Sequence, residues 1–142
     1  MKISSAEELI SEFSDCADHE ERTQLILEIG DDLPPLADEW KTDATRVRGC
    51  TSNVWLTADV VPGEPRRLHF AADSDSQLVR GLIAVLLSLV NDRTPAEILA
   101  VDLEGIFAKL ELARFISRSR SNGLASMVRR VRDLARKHDA AA

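Results

Sequence analysis

The chain has 142 residues and 24 acids against 18 bases. Its length fits one domain over 1–142, and its formal net charge of −6 argues against general nucleic-acid binding. Its longest apolar run, Leu82 to Val90, is broken by Ser88 and falls far short of the roughly 20 residues that cross a bilayer. With no apolar signal region and two cysteines, too few for a stapled secreted fold, a cytoplasmic protein without membrane contact is expected.

In chain order, Ser4 and Ser5 stand at capping-box spacing from Glu7 and Glu8, so a helix is expected to start near residue 5. Leu9, Ile10 and Phe13 form its apolar stripe. A second helix over about 18–29 carries Leu25, Ile26 and Ile29 and is expected to end on Gly30 as a C-terminal cap. Pro34 and Pro35 then force an extended turn.

Val54 to Val61 is rich in β-branched residues and reads as a strand. Pro62, Gly63, Glu64 and Pro65 signal a turn, and Leu68 to Ala71 a return strand, with Arg46 to Arg48 as a candidate third. Asp73 to Ser76 offer N-caps for a central helix, Leu78 to Val90, apolar on nearly every side. Gly81 inside it implies close packing, because glycine weakens a helix. Thr94, Pro95 and Glu97 open another helix in capping-box register, and a further segment follows over 103–113. The last helix, about Asn122 to Lys137, sets Leu124, Met127, Val128, Val131, Leu134 and Ala135 on one face. Arg129, Arg130, Arg132, Arg136 and Lys137 lie on the other, which reads as a solvated surface. A frayed tail is expected from about 139.

Charge is uneven. Residues 1–45 hold thirteen acids and three bases, whereas residues 112–142 hold eight bases and two acids. The basic end is free to face an acidic partner or the chain's own acidic start.

Cys50 carries the chemical interest. It follows Gly49 and precedes Thr51 and Ser52, at the polar approach to a strand rather than inside an apolar run. The thiolate is the reactive form, and positive charge lowers a thiol's pKa while apolar surroundings raise it. Arg46, Arg48 and Cys50 point the same way if the backbone stays extended, though Gly49 permits a departure. Local sequence leaves a buried, unreactive cysteine as open as a reactive one. Cys16 follows Phe13 on the first helix and reads as a small packing residue or a partly exposed bystander. Three histidines and two cysteines show no tight metal spacing. His69 is the one histidine in the expected sheet, hence the one base for a Cys-His hydrolase. No phosphate loop or nucleophile elbow is present.

From about Leu25 to Ala135 the chain resembles the SufE family of sulfur-acceptor proteins. The first motif is Val47, Gly49, Cys50, Ser52, Val54 and Trp55. The second is Phe70, Asp73, Ser74 and Asp75, followed by Val79, Gly81, Leu82 and Ile83. The third runs from Ser119 through Arg120 and Gly123 to Met127. The resemblance implies a single domain of α+β fold with a small antiparallel sheet packed against several helices. It implies that Cys50 accepts a persulfide sulfur from a cysteine desulfurase and passes it to an iron–sulfur cluster assembly scaffold. This chain would need no cofactor or metal, because the desulfurase carries the pyridoxal phosphate, and it would act as an accessory protein, monomer or homodimer. Gly49, Thr51, Ser52, Asp73 and Arg120 are implied to support the loop or face the partner. Thr51 stands where many relatives have glutamine, and Ala72 where glycine is expected, which leaves the partner's identity open. The competing expectations are an iron–sulfur or metal scaffold, which would need several thiolates, and the Cys50–His69 hydrolase.

Overall fold

The computed structural model describes residues 5–140. Among them six α-helices accompany one two-stranded antiparallel sheet, which is the expected α+β class. Helix α1 (Ala6–Ser14) is capped by Ser5, whose hydroxyl accepts from Glu8 N at 3.1 Å, and it buries Leu9 and Phe13. Ser4 lies outside the described residues. Helix α2 (His19–Asp31) is capped by Asp18 and runs one residue past Gly30. Gly30 is therefore no cap. It faces Gly81 of α3 (Gln77–Val90), where a Cβ on Gly30 would lie 2.7 Å from Gly81 N. A Cβ on Gly81 would overlap the Ile26 carbonyl. The two helices approach backbone to backbone, and only glycine fits at that crossing.

Strands β1 (Val54–Val61) and β2 (Arg67–Ser74) pair from Val54 opposite Ser74 to Val61 opposite Arg67. Val54, Leu56, Leu68, Phe70 and Ala72 are buried, following the two-residue period of a strand with one covered face. The candidate third strand reduces to one bridge, Arg46 opposite Trp55. Val47 N still donates to Val54 O at 2.8 Å, so the chain enters the cysteine loop already tied to β1. Burying a side chain such as Leu82, Ile83, Val85 or Leu86, each 1% exposed or less, contributes roughly 1.5–3 kcal/mol. This makes α3 the centre of the core.

Helix α4 (Pro95–Ala100) has the full capping box of Thr94 and Glu97. Helix α5 (Leu103–Leu110) ends on Glu111 at φ 57°, and one 3-10 turn (Leu112–Arg114) follows it. Helix α6 (Arg118–Ala140) begins four residues earlier than the sequence suggests. Asn122 and Gly123 look like a break, but Ser117 caps ahead of them by accepting from Arg120 N at 3.1 Å. Residues 139 and 140 are still helical, and 141–142 lie outside the described residues. The basic face of α6 is only partly solvated: Arg132 grips Glu104 through two bonds, at 2.5 and 2.7 Å, and Arg130 donates to Ala44 O at 2.7 Å.

Candidate functional site: a cysteine loop latched on the last helix

Between Val47 and β1 the chain makes a short loop that rests on the first turns of α6. Gly49 adopts φ +92°, a region that side chains disfavour, and a Cβ there would lie 2.5 Å from Ser126 Oγ. Both facts require glycine. Ser126 is buried; it donates to Asn122 O at 3.1 Å and accepts from Arg129 at 3.0 Å.

Cys50 is half-buried beside Gly123, and its Sγ donates to the Gly123 carbonyl at 3.5 Å. Gly123 has no Cβ, and one added there would touch Sγ at 3.4 Å. The floor and walls of the cleft include Val54, Val79, Leu82 and Met127. The space left within it is about 10 Å³, roughly enough for a single water. Little room is left beside the sulfur within the cleft while the loop lies down. Burial pushes the Cys50 thiol above its ordinary value, and Arg46 opposes that rise without cancelling it. The resting group is thus a shielded thiol, not a thiolate.

Two tethers hold the loop's far side. The hydroxyls of Thr51 and Ser119 lie 2.9 Å apart. Asp75 accepts from Asn53 N at 3.1 Å and from Asn53 Nδ2 at 2.9 Å. Thr51 is exposed, whereas Ser52 is partly covered and lines the cleft together with Arg120.

The residues singled out from sequence therefore divide. Gly49, Cys50, Thr51, Ser52 and Arg120 come together. Asp73 does not join them and faces no partner, being 3% exposed. Nor does it cap α3, a role taken by Ser76. Asp73 accepts from Leu36 N at 3.0 Å and Ser74 N at 2.8 Å, is bonded by Arg80, and lies 3.5 Å from Lys41 Nζ. Burial raises its pKa, but the two N–H donors, Arg80 and Lys41 outweigh that, and the net direction is down. Asp73 pins the 33–41 segment onto β2 and α3.

Sequence reasoning passed over Asn53 and Ser126, named Asp75 only as a cap candidate and motif residue, and quoted Ser119 and Gly123 only as part of a motif. The one available signal was a glycine in a helix, which implies a close approach. Cys16 lies just past α1, and its Sγ donates to Glu12 O at 3.5 Å. His69 opposes Asp59 in the sheet and meets Asp92 at 3.0 Å. That is five residues along the strand from Val54, roughly 17 Å at strand rise. It does not line the Cys50 cleft, so a Cys50–His69 couple is absent. Among the described residues no group of three His, Cys, Asp or Glu side chains is placed to hold a metal ion, and no helix is long and apolar enough to cross a membrane.

The family model described as SufE, an Fe-S metabolism associated domain, matches residues 7–135. An uncharacterized SufE-like protein of Rhizobium etli is 39% identical over 98% of this chain and 95% of its own length. Another, from Rhizobium meliloti, is 34% identical over 94% and 96%. The solution structure of a hypothetical protein from Thermus thermophilus superposes with a TM-score of 0.75 at 22% identity, covering 96% of this chain and 97% of that one. At that identity it speaks for the fold alone.

Proposed function

The chain belongs to the SufE family, associated with iron–sulfur metabolism, and we propose that it is a sulfur acceptor and carrier serving a cysteine desulfurase. The observation that carries this reading is Cys50 itself: one thiol on a glycine-hinged loop, shielded at rest and attached to α6 by few bonds. Sulfur transfer between thiols follows the logic of thiol–disulfide exchange, which needs an attacking thiolate, a reachable sulfur and a leaving thiolate.

Lifted from its cleft, Cys50 loses the burial that holds its proton and, as the thiolate, attacks the outer sulfur of the donor's persulfide. The donor's S–S bond breaks as the bond to Cys50 forms. The donor's inner sulfur leaves as a thiolate and takes up a proton. Cys50 now carries the persulfide, and no net oxidation occurs. Back in the cleft, the loaded sulfur is screened from reductants until an iron–sulfur assembly scaffold takes it by the same exchange. Pyridoxal phosphate chemistry belongs to the desulfurase.

Intact mass after incubation with the cognate desulfurase and free cysteine tests this. Wild type and Cys16→Ser gain about one sulfur atom, reversibly with reductant, and Cys50→Ser gains none. No gain on wild type with an active cognate desulfurase rejects the assignment.

A further inference from the structure

Helix α5, the 3-10 turn after it and helix α6 enclose a cavity of about 610 Å³, against about 10 Å³ beside Cys50. On α6 the cavity takes Ser121, Leu124, Ala125, Val128 and Arg132, which are one, three or four positions apart and share one side of the helix. The cysteine cleft takes Ser119, Arg120, Gly123 and Met127 instead, so the two sites share no residue and use different faces of α6. The cavity follows from side-chain size. Ala108, Ala113 and Ala125 stand where longer side chains would close the gap. Leu112, Ile116, Leu124 and Val128 form an apolar floor, each 9% exposed or less.

The rim is charged, and most of its charges are paired. Arg132 holds Glu104 through two bonds and so ties α6 to α5. Glu111 accepts from Arg22 at 3.0 Å and from Arg114 at 3.1 Å. Arg129 is the exception. Among the described residues no carboxylate pairs with it, and it donates to the neutral Ser126 hydroxyl at 3.0 Å. Arg114, Arg129 and Arg132 against Glu104 and Glu111 leave the rim with an excess of positive charge. A guanidinium carries five N–H donors, so Arg129 keeps the capacity to take a carboxylate through two parallel bonds.

We propose that this cavity binds a small carboxylic acid with an aliphatic body, its chain on the apolar floor and its carboxylate on Arg129. The volume lies within the roughly 300–1,000 Å³ of small-molecule sites, which combine an apolar lining with a few polar groups that fix orientation. A partner's helix suits the space less, because three turns of it, about 10 Å wide, displace on the order of 1,300 Å³. A polyphosphate is disfavoured too, because its further negative charges would meet Glu104 and Glu111. Cys50 takes no part in this site, which stands apart from sulfur transfer.

Octanoate and 1-octanol are the probes, titrated into the isotope-labelled full chain and followed by amide chemical shifts in nuclear magnetic resonance. Octanoate shifts are expected to saturate, to cluster within 104–116 and 121–132, and to give a dissociation constant below about 1 mM. 1-Octanol has the same chain and no charge, and it binds roughly tenfold more weakly. Arg129→Gln lowers octanoate affinity about tenfold and leaves 1-octanol as it was. Ala125→Leu places a good helix former at an exposed position and fills the space, so it weakens both probes by roughly tenfold. Amide shifts that match wild type outside the cavity show that each variant is folded. Shifts that never saturate, or that scatter over the surface, overturn the proposal. So does equal binding of the two probes by wild type, or wild-type octanoate affinity in either variant.

Discussion

Two contacts in this molecule depend on glycines at close quarters, and they are built for opposite ends. Where α2 crosses α3, Gly30 and Gly81 bring backbone against backbone, among the buried side chains of Ile26, Ile29, Leu82 and Ile83. Each such side chain contributes roughly 1.5–3 kcal/mol, so the crossing is part of the permanent scaffold. Where the cysteine loop meets α6, Gly49 and Gly123 also make room, but what they admit is a thiol and one hydroxyl pair. An ordinary hydrogen bond contributes about 0.5–1.5 kcal/mol net, and a thiol is a weaker donor still. The same residue type thus serves a contact that stays closed and one that opens.

The largest expected effect decides which side of this divide Asp73 belongs to. Asp73→Ala takes the buried carboxylate away from Arg80 and Lys41 and leaves Leu36 N without its acceptor, so it should lower unfolding free energy by about 3 kcal/mol. Urea denaturation measures it, and a loss below roughly 1 kcal/mol would move Asp73 out of the scaffold. The pH dependence has a fixed sign. The folded carboxyl is held below its ordinary value, so its contribution is present above that value and disappears as pH falls through the folded one.

Gly81→Ala tests the crossing directly. A methyl group there overlaps the Ile26 carbonyl, and overpacking of this kind costs about 1–3 kcal/mol, again read by urea denaturation. Gly123→Ala is the matching change at the loop and should be nearly silent. Its Cβ meets Sγ at 3.4 Å, an ordinary contact, while alanine favours the helix by up to about 1 kcal/mol. A melting temperature well below wild type would mean the loop is packed as firmly as the core.

The scaffold was largely legible in the sequence because its signals are local. The Thr94–Glu97 capping box, the β1 composition and the glycine in α3 each declare a structure within a few residues. Gly30 misled because a glycine at a helix end usually caps, and here tertiary packing claimed it. The start of α6 misled because Asn122 and Gly123 look like a turn, while Ser117 had already capped the helix. Cys50 stood out through its polar neighbours. Its contacts did not, because Ser119, Gly123 and Ser126 lie 68 or more positions away and meet the loop only once α6 is packed. Asp73 fell within a recognisable motif, yet a motif does not say whether its carboxylate faces a partner or a buried guanidinium.

Hydrogen exchange of the amides from 48 to 53, set beside those of α3 and followed alone and then with desulfurase, tests most directly that the cysteine loop is a releasable part on a fixed scaffold. Release predicts that the loop amides exchange many times faster than those of α3 and that their protection changes when the desulfurase is added while α3 stays as it was. Loop amides as protected as α3 in both conditions would contradict it.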